Sequence, residues 1–298
     1  MQSIQKIDAN RFVGRQIGTA TIVREIARGG MAIVFIAYQR TLKRQIAVKL
    51  LPIDHMTHHA AELFQTEAEA AAILSHPNII QVYEVGKTDD FLFFTMQLVQ
   101  GTSLSKILNQ VKKQLIRSKR VLPVKKTIEI IIQVLDALDY AHNNDVVHMD
   151  IKPHNILFEK HTQRPLISDF GVARFLRGEH NSSETSGGSP LYMAPEQIIG
   201  SVIDGRTDIF ASGIMLFQML VPALPLRSYA SHEALLEDKL LNKDGVFLQK
   251  PSELNLTLHR EMDKIISQAT AYEPERRYQT CRHFIQDLEN YKKRFLWQ

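Results

Sequence analysis

The chain holds 298 residues, 44% of them hydrophobic and 23% charged, a composition ordinary for a folded soluble protein with one large core or two smaller ones. A net charge of +4 does not by itself indicate a nucleic-acid partner. The single cysteine, Cys281, rules out an internal disulfide and favours a reducing compartment.

Residues 1–20 read as an N-terminal extension. Its start, Met1-Gln2-Ser3-Ile4-Gln5-Lys6, lacks the charged-then-apolar pattern of a signal peptide, so the cytoplasm is the expected location. Short apolar, β-branched runs then alternate with turns at 21–26, 33–38, 45–51, 80–85 and 91–98, which predicts five strands. Between the third and fourth lies 60–74, rich in Ala, Glu and Leu and closed by Ser75-His76-Pro77-Asn78, which predicts one helix. From Thr102 onward helical periodicity dominates, most clearly at 123–143, 209–220 and 260–271. The most apolar run, 209–226, contains Ser212 and Gln218 and is interrupted by Pro222 and Pro225. It falls short of the roughly 20 apolar residues that span a bilayer, so a core helix is expected and no membrane span. The fold class expected is α+β: a small β lobe at 21–99, then a larger, mainly helical lobe at 100–290, with a ligand cleft between them and a basic, aromatic tail at 291–298.

The stretch His148-Met149-Asp150-Ile151-Lys152-Pro153-His154-Asn155, followed by Ser168-Asp169-Phe170-Gly171, sets Asp150, Lys152, Asn155 and Asp169 at fixed spacing on two loops. Moving a γ-phosphoryl group needs a carboxylate to orient the attacking hydroxyl, a cation for the developing charge, and oxygen ligands for Mg²⁺. These four residues supply such a set. Upstream, Ala27-Arg28-Gly29-Gly30-Met31-Ala32-Ile33-Val34 forms a small-residue loop that lets backbone approach phosphates, and Ala47-Val48-Lys49 follows on a strand. Glu67 comes 18 residues after Lys49; downstream stand Ala194-Pro195-Glu196, Asp208 and Arg277.

In this order the motifs resemble those of Hanks-type, eukaryotic-like serine/threonine protein kinases of the compact bacterial sort, over about residues 22–288. The resemblance implies a two-lobed fold, with a five-stranded antiparallel lobe carrying one helix before the helical lobe. It implies ATP with Mg²⁺, or Mn²⁺ in its place, and serine or threonine hydroxyls of proteins as acceptors. The chain itself would be among them through self-association. Asp150 would orient the acceptor hydroxyl, Lys152 steady the γ-phosphate, and Asn155 and Asp169 hold metal. Lys49 would bond the α- and β-phosphates and be held by Glu67. Ala27, Gly29, Gly30 and Ala32 would line the phosphates. Val34, Ala47, Met96 and Leu157 would sandwich the adenine, with backbone groups of Gln97 and Val99 bonding its edge. His148 and Phe170 would be packed spine residues, Glu196 and Arg277 a buried ion pair, and Asp208 a partner of the catalytic-loop backbone. Lys152-Pro153 after Asp150 resembles the serine/threonine-specific members.

Several positions depart from the family pattern. Ala27 and Ala32 stand where the first and third glycines are usual, Ser189 where threonine is usual, and Met149 where many members carry an arginine that receives a phosphorylated loop. A neutral thioether cannot pair with phosphate. Ser182, Ser183, Thr185 and Ser186 are candidate phosphorylation sites with Arg174 a candidate partner, or equally parts of a solvated loop. His55, His58 and His59 read as a solvated turn, not a metal site. The run 112–126 has seven basic and no acidic residues and reads as a solvated loop before a docking surface. Two other functions remain open: a pseudokinase scaffold, which would normally have lost Lys49, Asp150 or Asp169, and a small-molecule phosphotransferase, which usually lacks the Ala194-Pro195-Glu196 segment.

Overall fold

The computed structural model describes residues 7–29, 32–52, 72–88, 90–116, 120–170, 190–243 and 245–296. By contacts the chain divides into two units, Met1–Gln100 with Phe170–Gly188, and Gly101–Asp169 with Ser189–Gln298.

The first unit is an antiparallel sheet with strand order β1-β2-β3-β4-β6-β5. The strands are β1 (Gln16–Ile17), β2 (Ala20–Arg28), β3 (Ile33–Gln39), β4 (Arg44–Pro52), β5 (Val82–Lys87) and β6 (Phe91–Met96). Five of them answer the runs read in the sequence. The sixth, β1, is two residues long and joins β2 through a turn at Gly18, whose φ of +54° lies in the left-handed region that glycine enters without strain.

Side chains alternate faces along a strand, so register assigns each one a side. Phe35 pairs with Val48 and Val48 with Thr95, while Leu50 pairs with Phe93. That face carries Ile33, Phe35, Ala37, Ile46, Val48, Leu50, Phe91 and Phe93, all buried in one cluster. What covers it is the chain's own start: Phe12, in a 3₁₀ turn Ala9–Phe12 capped by the Asp8 carboxylate, is 1% exposed. Its ring meets Phe35 at 5.7 Å and Phe91 at 5.1 Å, both edge-on. Burying one such side chain contributes about 1.5–3 kcal/mol. The segment before residue 20 is therefore part of the sheet unit's core.

The second unit is mainly helical. Its helices are α1 (Leu104–Lys112), α2 (Val124–His142), α3 (Pro195–Ile199), α4 (Gly205–Leu220), α5 (His232–Leu241), α6 (Pro251–Leu254), α7 (Glu261–Ala269) and α8 (Cys281–Phe295). A small antiparallel sheet of β7 (Gly101–Ser103), β8 (Ile156–Glu159) and β9 (Pro165–Ile167) accompanies them. A Cβ at Gly101 would fall 1.7 Å from the Phe158 carbonyl oxygen, so only glycine lets β7 approach β8 this closely. The apolar run read as a core helix is α4, buried along almost its whole length and packed against α2 and α7. Among the described residues no helix is long and apolar enough to cross a membrane.

Candidate active site

The catalytic loop takes its shape from α4. Asp208 on that helix is fully buried, and its carboxylate accepts the backbone N–H groups of His148 and Met149, each at 2.8 Å, and bonds His142 Nε2 at 2.8 Å. Burial pushes its pKa up, but His142, through its bond and its charge, and then His148, through its charge and its amide, outweigh that, and the net shift is downward. The ionised carboxylate thus clamps two successive amides of the loop. Met149 sits at φ +66°, a conformation that costs a non-glycine residue of order 1–3 kcal/mol and persists where surrounding bonds over-determine it. The clamp from Asp208 is such a determinant.

From that fixed point the functional side chains converge. Lys152 Nζ donates to Asp150 Oδ2 at 2.7 Å. Asn155 Nδ2 donates to the Asp150 backbone oxygen at 2.8 Å and to its Oδ2 at 3.1 Å. The 3₁₀ turn Pro153–Asn155 brings Asn155 back under Asp150, and Pro153 suits its start because no N–H is needed there. Asp169 follows β9 and is joined to this network: Ser168 N donates to the Asn155 oxygen at 2.9 Å, and Ser168 Oγ donates to Asp169 Oδ2 at 3.1 Å. Asp169 too has positive φ, +64°. The structure therefore gathers Asp150, Lys152, Asn155 and Asp169 around one another. His148 is fully buried, with Nε2 bonded to the Ser168 oxygen at 2.8 Å and Nδ1 accepting the Asp150 N–H at 3.2 Å. Both ring nitrogens serve the loop backbone, which matches a packed residue and not a general base. Its neighbour His154 bonds Ser105 Oγ at 3.1 Å, and burial, then the Lys152 charge, push its pKa down.

In the sheet unit the register places the other predicted residues on one face. Val34 pairs with Lys49 and Lys49 with Phe94; two residues along, Ile36 pairs with Ala47 and Ala47 with Met96. Val34, Ala47, Lys49 and Met96 therefore share the side opposite the Phe12 cluster. Lys49 Nζ lies 6.0 Å from the Phe94 ring centre. Ala27 pairs with Val34, and Gly29 N donates to the Ala32 oxygen at 2.9 Å. Gln97 N donates to the Gln81 oxygen at 2.9 Å. Leu157 belongs to the helical unit, on β8, opposite Ser103 and Leu166. Gly30, Glu67, Arg174, Ser189, the hydroxyls at 182–186 and the histidines at 55–59 lie outside the described residues.

Bracing groups complete the helical part. Arg277, 2% exposed, grips Glu196 with two bonds of 2.7 and 2.8 Å, and Thr207 Oγ1 donates to the same carboxylate at 2.7 Å. Burial opposes ionisation of Glu196, and the Arg277 bonds more than reverse it, leaving its pKa lowered. Two residues escaped the sequence reading. Gln197 accepts from Ala194 N at 3.0 Å and donates to the Met149 oxygen at 2.9 Å. Lys239 is buried among three backbone carbonyls.

A two-lobed arrangement of motifs and this carboxylate, lysine and amide network define a protein kinase domain, and the model of that family matches residues 20–288. This chain belongs to the protein kinase family, in its Hanks-type bacterial branch. It is 33% identical over 283 residues to the serine/threonine-protein kinase PrkC of Bacillus subtilis, covering 93% of this chain and 41% of that protein. It is 31% identical over 291 residues to the tyrosine-protein kinase MasK of Myxococcus xanthus, covering 92% of this chain and 43% of that one. The chain thus spans less than half the length of these two relatives. Among solved structures, the PknI kinase domain of Mycobacterium tuberculosis matches with a TM-score of 0.74 at 26% identity, over 94% of this chain and 98% of that one.

Proposed function

We propose that this chain is an ATP-dependent protein kinase that transfers the γ-phosphoryl group to serine or threonine hydroxyls of proteins, its own chain among them. The observation that carries the reading is Asp150, its carboxylate held by Lys152 at 2.7 Å and by Asn155 at 3.1 Å and its backbone oxygen by Asn155 at 2.8 Å, on a loop clamped by Asp208. A carboxylate so oriented can accept the hydrogen bond of an incoming hydroxyl and align its oxygen for in-line attack. Lys152 beside it supplies positive charge where negative charge develops.

Protein kinase domains as a family work with ATP and a divalent metal. The donors here fit Mg²⁺: the Asp169 carboxylate and the oxygen end of Asn155, whose amide nitrogen is committed to Asp150, are hard oxygen ligands. Among the described residues no three His, Cys, Asp or Glu side chains cluster as a metal site, and Mg²⁺ suits such a sparse set because it is usually held by one or two carboxylates together with substrate phosphates. When bound, the metal neutralises phosphate charge and orients the transferred group. On the sheet unit, Lys49 is the cation for the nucleotide phosphates, with Ala27, Gly29 and Ala32 as backbone neighbours; Gly30 and Glu67, which the resemblance adds to this set, lie outside the described residues. Val34, Ala47, Met96 and Leu157 are the apolar groups for the base, and Gln97 and Val99 its edge partners. The buried thiol of Cys281, which is in no disulfide and meets His142 Nδ1 at 3.7 Å, suits a reducing compartment such as the cytoplasm.

The test is incubation of the purified chain with γ-labelled ATP, Mg²⁺ and a generic protein acceptor, followed by phosphoamino-acid analysis. Label on serine or threonine is expected, with chelation of the metal abolishing it. Asp150→Asn or Lys49→Met should each lower transfer by orders of magnitude, since a lost positioning or charge-stabilising group costs several kcal/mol of barrier, while circular dichroism stays unchanged. Either variant retaining activity within about twofold of the parent would sink the proposal, and label on tyrosine would correct the acceptor class.

A further inference from the structure

Lys239 stands on the inner face of α5 and is only 4% exposed. Its ammonium donates to the carbonyl oxygens of Pro190 at 2.8 Å, Leu191 at 2.6 Å and Met193 at 2.7 Å. It also lies 5.3 Å from the centre of the Phe210 ring on α4. A charged lysine has three N–H donors and no acceptor, so the three carbonyls satisfy it completely. A neutral amine would have two donors and a lone pair facing the third oxygen. Desolvation pushes the amine down, to about 7, so this burial is costly; the adjacent carboxylate, Asp238, is engaged elsewhere, by Arg227 and Tyr229. An apolar side chain would fill the same space more cheaply. What only the ammonium can do is curl the backbone of residues 190–193 around a single centre.

That backbone leads straight to the catalytic loop. Tyr192 hydroxyl donates to Gln218 on α4, a second hold on the segment. Ala194, next in the chain, donates its N–H to Gln197, and Gln197 passes on a hydrogen bond to the carbonyl of Met149, the residue before Asp150. A continuous set of bonds therefore runs from Lys239 through residues 190–194 and Gln197 to the catalytic carboxylate's own peptide.

We propose that Lys239 is an acceptor-positioning residue: it moulds the Pro190–Met193 backbone, and Gln197 holds that backbone in register with Asp150, so that an acceptor segment lying against this loop offers its hydroxyl at the carboxylate. The proposal rests on the kinase reading above. Misplacement by about 1 Å of a group that aligns reactants can cost on the order of a hundredfold in rate, so the anchor acts on transfer without touching nucleotide or acceptor.

The experiment uses the whole chain and compares the parent with Lys239→Met, Lys239→Arg and Gln197→Ala. Steady-state kinetics are measured with a peptide acceptor and with ATP varied separately, together with hydrogen exchange of the Leu191 and Met193 amides. Lys239→Met should lower kcat/KM for the acceptor at least tenfold, leave KM for ATP within about twofold, and speed exchange at both amides at least tenfold, a change equivalent to about 1.4 kcal/mol. Lys239→Arg, which keeps the charge and donors, should lose less than Lys239→Met. Acceptor kcat/KM within twofold of the parent, or a loss matched by an equal rise in KM for ATP, would overturn the assignment. Should Lys239→Met not fold, Gln197→Ala cuts the same connection and must show the same split, or the proposal fails. If the parent transfers no phosphoryl group, the kinase reading falls on its own; equal exchange rates in parent and variant would still overturn the anchoring.

Discussion

In the sheet unit the side chains that hold the strands together are hydrocarbon: Phe12, Phe35, Val48, Leu50 and Phe93 form its core, and among the described residues its buried polar side chains, Gln39, Asn78 and Thr95, are all uncharged. The helical unit instead buries Asp139, Lys152, Glu196, Asp208, Lys239 and Arg277. The difference follows from what each unit has to shape. A strand's backbone groups are paired by its neighbours, so alternation of apolar side chains suffices to place it. The catalytic loop and the segment before α3 have no such ladder, and their amides and carbonyls are shaped by buried ions: Asp208 for residues 148–149, Lys239 for residues 190–193.

The largest effect that tests this contrast is loss of Arg277. Arg277→Met leaves Glu196 buried without its guanidinium, and removal of one partner of a buried pair costs about 3–5 kcal/mol. The Thr207 hydroxyl and a backbone N–H remain on that carboxylate. Urea unfolding should show that loss, and the double variant Glu196→Gln with Arg277→Met should cost less than the two single changes added. A single-variant cost under about 1 kcal/mol would show that the pair is not what holds α3 in place.

In the sheet unit the matching change is Phe12→Ala. Removing a buried aromatic side chain typically costs about 3–5 kcal/mol, and here the lower end is expected because the ring is carried by a single 3₁₀ turn that can collapse toward Phe35 and Phe91. Phe12→Leu should cost about 1 kcal/mol. The contrast breaks if Phe12→Ala leaves the urea midpoint unmoved.

How much of this was legible beforehand depended on whether the partner was a side-chain pattern or a backbone. Ile46, Val48 and Leu50 alternate with Ala47, Lys49 and Leu51, so the strand and both its faces can be read directly. The Asp150-to-Asn155 spacing likewise carries its own chemistry. Phe12 lies in a short, glycine-interrupted stretch with no periodicity, and nothing local marks it as core. Lys239 sits between Asp238 and Leu240 on a helix with charges all along it, and resembles a solvated lysine. Its acceptors are carbonyls 46 to 49 positions earlier, groups every residue possesses and no sequence advertises.

Acid should test the buried ions of the helical unit as well. Glu196 has its folded pKa held below the ordinary value of 4.5, because Arg277 favours the ionised form more than burial disfavours it. A lowered carboxylate binds fewer protons folded than unfolded, so its stabilisation is complete above about 4.5 and is lost as pH falls through the folded pKa. Asp208 acts in the same direction. Stability measured by thermal melts should therefore fall with pH below 4.5, and Glu196→Gln should flatten that slope while lowering stability near neutrality. An identical slope in both proteins would remove Glu196 from the account.

The smallest effect expected concerns phosphorylation of the segment 171–189. A phosphate there gains most when an arginine in the catalytic loop receives it, and here that place is taken by Met149. The loop at Met149 is instead held from both sides by side chains of the helical unit, its N–H by the Asp208 carboxylate and its carbonyl by the Gln197 amide, at 2.8 and 2.9 Å. Its positive φ is thus maintained without a phosphate. Replacing Ser182, Ser183, Thr185 and Ser186 together by alanine should change transfer to an external acceptor by less than about threefold, well under 1.4 kcal/mol, and match the phosphatase-treated parent. A tenfold loss would mean that another cation receives the phosphate, and Arg174→Ala in the unmodified background would then reproduce it. With that result, the buried ions of the helical unit would no longer be the whole of what shapes the catalytic loop.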